Sequence, residues 1–301
     1  MGPAVISVGN IAMGGTGKTP FVIFLARHFI SEGERVAILS LGYKGKLGYG
    51  TNVISDGREI FYNPPYAADE PYMMAWALAG ENGAAVITGK DRRASYNLAV
   101  ERFSPTLFLL DDGFQYRGIS KDIDILLLDY AKPCGLPFPF GYFREFPSAV
   151  RRADVVIFTR ATSAGIPVGA EKYCRDKPVF YSSNKYLAFS SGGGKLSLNY
   201  ILGKRVWLMS AIANPKQFCE QIRLYGAVVS GHSVFRDHYA YGEKEIESVL
   251  RSADDSCAEI VITTQKDFVK IPKMYRDKFI YPDLVVNMLN QGLFDLIKTL
   301  R

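Results

Sequence analysis

No run of about 18 consecutive apolar residues, the length a membrane-spanning helix needs, occurs in this chain. The longest apolar segment near the start, Phe21 to Phe29, is broken by Arg27 and His28. The opening Met1-Gly2-Pro3-Ala4-Val5-Ile6 does not read as a secretory signal. Ile6 stands where an acylation signal at Gly2 would need Ser or Thr. Cysteine is scarce: Cys134, Cys174, Cys219 and Cys257 lie far apart with no paired spacing. That excludes a zinc cage or a disulfide framework and makes a reducing cytosol the default. There is no Lys/Arg block or aromatic repeat of the kind that binds nucleic-acid strands, and no internal repeat.

What is present is the composition of a globular protein: 301 residues, 48% hydrophobic and 22% charged. At roughly 100–200 residues per domain, this length implies two domains or one large one. The formal charge of +6 favours acidic partners such as nucleotides, nucleic acid or anionic headgroups without choosing among them.

Short apolar runs alternate with amphipathic stretches through the first half. Ala4 to Val8, Arg35 to Ser40, Ala84 to Thr88, Thr106 to Leu110, Ile123 to Leu128 and Val155 to Thr159 read as strands. Lys18 to Ser31, Glu70 to Ala79 and Tyr96 to Phe103 read as helices. Continuous apolar strands separated by helices predict an α/β fold, a parallel sheet with helices on both faces. Ser182 to Asn199, with Ser190-Ser191-Gly192-Gly193-Gly194, reads as a turn or linker. A second alternation follows: Arg205 to Met209, Pro215 to Tyr225, Ala227 to Val229, Glu243 to Ser252 and Glu259 to Thr263. The expected organisation is a nucleotide-binding and catalytic domain over 1–165, a linker region over 166–200, and a smaller C-terminal α/β domain over 201–301 that closes over the site.

Ala12-Met13-Gly14-Gly15-Thr16-Gly17-Lys18-Thr19 has the spacing of a Walker A phosphate loop (P-loop), with Ala in place of the first Gly. A strand precedes it and a helix follows. Small residues let backbone N–H groups wrap phosphates closely. Gly14, Gly15, Thr16, Gly17, Lys18 and Thr19 are therefore the expected ATP-binding residues. Lys18 neutralises the β/γ oxygens and the Thr19 hydroxyl holds Mg²⁺. The run Leu107 to Leu110 delivers Asp111-Asp112 to the end of a buried strand, where one of them would meet Mg²⁺ directly or through water. Met13 stands where partitioning and metal-insertion ATPases carry an extra lysine, which argues against that subclass. These motifs leave a kinase and a nucleoside triphosphatase both open.

Further segments occur in one order: Ile6-Ser7-Val8-Gly9-Asn10, Gly14-Gly15-Thr16-Gly17-Lys18-Thr19-Pro20, Asp69-Glu70-Pro71, Asp91-Arg92, Asp111-Asp112-Gly113-Phe114-Gln115, Arg144-Glu145, Asn214-Pro215, Asp237-His238-Tyr239 and Lys266-Asp267. Together they resemble the tetraacyldisaccharide 4'-kinases, the P-loop kinases of lipid A synthesis. The resemblance implies transfer of the ATP γ-phosphate to the 4'-hydroxyl of a tetraacylated glucosamine disaccharide 1-phosphate. It implies a cytoplasmic protein held peripherally at the inner membrane, with an acylated disaccharide phosphate lipid as partner. It makes Asp91 the expected base and His238 the residue that orients it. Read alone, Gly89-Lys90-Asp91 before a helical stretch is a helix N-cap, and the two roles are compatible. Arg144 is the expected stabiliser of charge on the transferring phosphate, or else the partner of a surface ion pair with Glu145. Lys266-Asp267 would contact the base or ribose. The competing reading is a P-loop ATPase, or a nucleotide-binding kinase homologue with a different or lost substrate.

The resemblance has departures. Tyr116 replaces a His after Asp-Asp-Gly-Phe-Gln, Leu41 replaces an Arg before Gly42-Tyr43, and Ala68 replaces a Gly before Asp69. The family carries an amphipathic or hydrophobic helix before its first strand, where four residues precede Val5 here. Leu136-Pro137-Phe138-Pro139-Phe140-Gly141-Tyr142-Phe143 is unusually aromatic, and its prolines prevent a regular helix. It is expected to reach the bilayer interface or hold an acyl chain, or else to pack on the core. Lys44, Lys46, Arg92, Arg93, Arg151 and Arg152 are the cations expected to face headgroups, unless they are simply solvated.

Overall fold

The computed structural model describes residues 2–48, 50–80, 84–192, 194–237 and 239–301. His238 lies outside the described residues, as does Gly193 in the Ser/Gly-rich stretch. In chain order the elements are β1 (Ala4–Asn10), α1 (Lys18–Ser31), β2 (Val36–Ser40), β3 (Asn52–Ser55), α2 (Asp69–Ala77), β4 (Ala84–Thr88), α3 (Arg92–Phe103), β5 (Leu107–Asp111), β6 (Ile123–Asp129), β7 (Val155–Thr159), α4 (Glu171–Cys174) and β8 (Val179–Ser191). There follow β9 (Gly194–Leu196), β10 (Arg205–Ser210), α5 (Pro215–Leu224), β11 (Val228–Val234), α6 (Glu243–Asp255), β12 (Ile260–Thr263), α7 (Gln265–Phe268), β13 (Phe279–Met288) and α8 (Leu293–Leu300). The chain forms two compact units, Met1–Asn184 with Val286–Arg301, and Lys185–Val285.

The first unit is built on strands in the order β3-β4-β2-β5-β1-β6-β7-β8. All neighbours pair in parallel except β3, which runs antiparallel to β4. Val5 to Asn10 of β1 are buried without alternation, so both faces of the strand are covered, as the unbroken apolar runs predict. Tyr96, Leu98 and Phe103 of α3 pack on Val5, Leu39, Ile87 and Phe108. Parallel pairing brings the ends of β1, β2, β5, β6 and β7 to one edge of the sheet, where a ligand crevice forms in α/β folds.

After β13 the chain returns to this unit. Leu289 N donates to Tyr181 O at 2.8 Å, and Tyr181 N donates to Asn290 Oδ1 at 2.9 Å. On α8, Phe294 then stacks on His28 of α1 with ring centroids 3.3 Å apart. Lys298 Nζ and Arg301 Nη2 reach Glu32 and Glu34 at 2.6 and 2.8 Å.

The second unit orders its strands β11-β10-β12-β13-β8, with β9 antiparallel to β8. Its core gathers Tyr186, Phe189, Val206, Leu208, Phe218, Ile222 and Ile262. The stretch 182–199, read from composition as a linker, instead carries β8 and β9. Phe189 is fully buried, and Ser190 Oγ donates to Asp283 of β13 at 2.8 Å. Its strand character comes from pairing with β9 and β13, which local composition does not encode.

Candidate active site

The loop after β1 turns on two glycines. Gly14 and Gly17 have φ of 114° and 83°, a region that L side chains rarely adopt. Three neighbours brace the loop. Asn10 Nδ2 donates to Thr16 Oγ1 at 2.8 Å, Thr159 Oγ1 donates to Thr16 O at 2.9 Å, and Arg160 Nη2 donates to Gly15 O at 2.7 Å. Helix α1 begins at Lys18 with neither a side-chain cap nor an acid in its first turn. Its leading N–H groups therefore have no side-chain acceptor, which makes this helix end an anion site.

The Asp-Asp-Gly-Phe-Gln run closes against β1. Gly113 N donates to Val8 O at 3.1 Å. A Cβ added to Gly113 would stand 2.6 Å from Ser7 Oγ, and one added to Gly9 would stand 2.5 Å from the Phe114 Cβ. Both glycines are required by this close approach. The turn also puts Asp112 in the left-handed region, at φ 50°.

The two acids are held differently. Asp111 Oδ2 accepts from Ser40 Oγ at 2.8 Å, while its Oδ1 is buried with no hydrogen-bond partner. Burial, and then the nearby charge of Glu70, push its carboxyl up to about 6. An orphaned buried carboxylate oxygen is costly; a divalent cation, or water bound to one, fits it. Among the described residues no group of three or more His, Cys, Asp or Glu could hold an ion unaided. The remaining ligands would be nucleotide and water oxygens, as is usual for Mg²⁺. Asp112 Oδ1 also lacks a hydrogen-bond partner, but this acid is engaged with cations: Lys18 Nζ lies 3.5 Å from its Oδ1 and Arg144 Nη1 lies 2.8 Å from its Oδ2. Burial pushes the Asp112 carboxyl up, but Lys18 and Arg144 outweigh it and hold it below the usual range.

Arg144 is thus paired with Asp112, and Glu145 with Arg152 at 2.7 Å; the surface pair Arg144–Glu145 does not form. Gln115 Nε2 donates to Asn10 O at 2.8 Å and to Glu145 Oε1 at 2.9 Å. The Arg152 guanidinium lies 4.6 Å from the Phe114 ring centroid. A cleft of about 390 Å³ opens beside these groups, with Pro137, Arg144, Glu145, Phe146, Ala149 and Arg152 among its walls.

Of the expected site residues, the structure brings Lys18, Thr19, Asp111, Asp112 and Arg144 to the edge where β1, β5 and β6 end. Asp91 is the N-cap of α3, its Oδ1 accepting from Arg93 N at 2.9 Å. Arg92 is not a headgroup-facing cation. It is 4% exposed and donates to the main-chain oxygens of Asp111 and Asp112 at 2.8 and 3.1 Å. Arg93 donates to Gly118 O, and Arg152 is held by Glu145. In the second unit Lys266 pairs with Asp237 at 2.8 Å. Asp267 is fully buried and accepts from Ala211 N at 2.9 Å. Sequence reasoning gave no site role to Asn10, Ser40, Glu70, Thr159 or Arg160. Asn10, Ser40 and Thr159 are polar residues at the ends of apolar strands, and that position is the signal that marks them.

Known proteins share this chain's sequence and fold. The family model described as tetraacyldisaccharide-1-P 4'-kinase matches residues 1–299. A tetraacyldisaccharide 4'-kinase of Geobacter metallireducens is 38% identical over 282 residues, 92% of this chain and 81% of that protein. One from Syntrophus aciditrophicus is 38% identical over 286 residues, 90% of this chain and 76% of that protein. The crystal structure of LpxK from Aquifex aeolicus in complex with ATP superposes with a TM-score of 0.79 at 29% identity, covering 100% of this chain and 88% of that one.

Proposed function

This chain belongs to the tetraacyldisaccharide 4'-kinase family, and from that premise we propose how it works as a kinase. It transfers the γ-phosphate of ATP to the 4'-hydroxyl of a tetraacylated glucosamine disaccharide 1-phosphate. The observation that carries this reading is the chain of contacts Lys18–Asp112–Arg144 beside an uncapped helix end.

The loop 14–19 wraps the ATP phosphates with backbone N–H groups, and Lys18 meets their β/γ oxygens. Asp112 keeps Lys18 and Arg144 close together until phosphate oxygens take its place. Arg144 then lies against the charge that develops on the transferring group. Thr19 and Asp111 are the residues that would hold Mg²⁺, which neutralises phosphate charge when bound. Asp112 is the more distant acid, because its oxygens already serve two cations.

The acceptor head lies in the cleft walled by Arg144, Glu145 and Arg152. Its 4'-oxygen attacks the γ-phosphorus, the bond to the β–γ bridging oxygen breaks, and ADP leaves. The hydroxyl proton passes to a carboxylate. Asp91 is one candidate. Glu70, which opens α2 and raises the Asp111 carboxyl by its charge, is a second candidate. No helix among the described residues is long and apolar enough to cross a membrane. The lipid acceptor is met by peripheral contact with the cytoplasmic face of the inner membrane.

The test is incubation with labelled ATP, Mg²⁺ and detergent-dispersed disaccharide 1-phosphate. Label transferred to the 4' position, and lost with Lys18→Ala, is the expected result. ATP binding with no transfer, or hydrolysis indifferent to the acceptor, overturns the reading in favour of an ATPase or a homologue that has lost its substrate.

A further inference from the structure

The aromatic segment 136–143 divides sharply. Phe143 is buried and joins the core beside Leu126, Leu128 and Phe158. Phe138, Phe140 and Tyr142 are 70%, 84% and 83% exposed. Rings of this size left in water are a standing cost, and grouped exposed apolar surface marks an interaction site.

The N–H groups of Phe138, Phe140, Gly141 and Phe143 beneath these rings are paired within the segment. Phe138 N donates to Phe143 O at 2.8 Å, and Phe143 N to Leu136 O at 3.2 Å. Phe140 N and Gly141 N both donate to Pro137 O, at 3.0 and 3.1 Å. A Cβ on Gly141 would stand 2.3 Å from Leu136 O, so only glycine lets the knuckle close. A loop that exposes rings and pairs most of its own N–H groups loses little backbone hydration at the headgroup interface, where water and headgroups still accept and donate.

The knuckle is fastened to the phosphate loop. Met13 N donates to Tyr142 O and Arg144 N donates to Ile11 O, both at 2.7 Å. A second exposed aromatic group lies beyond the opposite neighbour of β1. Tyr43 and Lys44 follow β2, and Leu47 N donates to the main-chain oxygen of Tyr66 at 3.2 Å. Tyr43, Tyr66, Lys44 and Lys46 are all exposed. Because β1, β2 and β6 are parallel, the loops that follow them share one edge of the sheet. The phosphate loop therefore sits between two ring-bearing loops, one of them carrying lysines.

We infer that the 136–143 knuckle and the Tyr43–Tyr66 loops form a surface that inserts into the interface of an anionic lipid bilayer. The occupant is a bilayer rather than a single acyl chain, because Phe138, Phe140 and Tyr142 are all more than two-thirds exposed, whereas rings lining a chain-sized slot would be largely covered. Aromatic rings beside lysines suit the headgroup boundary. The inference deepens the kinase reading and rests on it for the lipid nature of the acceptor.

The test uses the full chain with vesicles of phosphatidylethanolamine and phosphatidylglycerol in a flotation assay. Wild type should float with the vesicles. F138S/F140S should bind at least about tenfold more weakly, with unchanged thermal midpoint and ATP binding. F140W supplies a second readout: its indole emission should shift to the blue with vesicles and be quenched by brominated lipid, against the constant background of Trp76 and Trp207. Wild-type protein that stays in solution, a double variant that floats like wild type, or an F140W indole untouched by brominated lipid would each overturn the inference. Phosphorylation of detergent-dispersed acceptor, which needs no vesicle, judges the kinase reading separately. Loop-dependent flotation without phosphorylation supports the surface while removing the kinase.

Discussion

Arg144 Nη1 donates to Asp112 Oδ2 at 2.8 Å, joining the loop that follows β6 to the acid that follows β5. The same carboxylate has Lys18 on its other oxygen. Two cations that repel each other are thus held side by side by one acid, in the position where phosphate oxygens would next hold them.

Arg144→Ala should lower kcat/KM by about 10²- to 10³-fold, the scale of losing one preorganised donor to transferring charge. Arg144→Lys should recover part of that loss, because a point charge replaces a planar fork. ATP affinity measured by titration calorimetry should change much less than kcat. A loss confined to ATP affinity would place Arg144 in ground-state binding.

Asp111→Asn should separate stability from activity. The Asp111 carboxyl is pushed up to about 6 in the fold, so its charged form is disfavoured there. Its contribution to stability is present at low pH and lost as pH rises through about 6. The variant should therefore be more stable than wild type at pH 8 and no more stable at pH 4. Mg²⁺-dependent transfer should vanish at both. Wild-type activity should fall as pH drops through about 6. Equal melting at pH 8 would show that the orphaned oxygen carries no penalty.

Asp91→Ser separates the helix cap from catalysis, since serine caps well but has no carboxylate. If Asp91 accepts the proton, the variant keeps its melting temperature and loses about 10²-fold or more in kcat. Retained activity would move the proton to Glu70, and Glu70→Gln would then show the loss.

Phe294→Ala should destabilise the first unit by about 1–3 kcal/mol, because the ring stacks on His28 and meets Phe24 and Phe29. Burial lowers the His28 pKa. The stability it contributes is present above its ordinary value and lost as pH falls below it. Melting curves should show the wild-type advantage over Phe294→Ala shrinking under mild acid. An advantage that stays constant across that range would contradict the role of His28.

The sequence made the first unit legible because its strands are unbroken apolar runs and its phosphate loop has fixed spacing. The different surroundings of Asp111 and Asp112 were not legible: they depend on Ser40, Glu70 and Arg144, which the fold brings from other elements. Arg92 was misread as a surface cation because nothing local shows that its head reaches two carbonyls at the end of β5. β13 escaped notice because Asp283 to Met288 mixes polar and apolar residues, with burial that is only partial. The Ser/Gly stretch of β8 and β9 takes its strand character from pairing, not from propensity.

The return of residues 286–301 to the first unit has a consequence for synthesis. A ribosome makes the chain from its N-terminus, so the phosphate loop emerges long before the helix that covers Phe24, His28 and Phe29. The whole of Lys185–Val285 must be translated in between. Nascent chains therefore pass through a stage with an uncovered aromatic face on α1, and premature termination within that stretch leaves it open to chaperones and proteases.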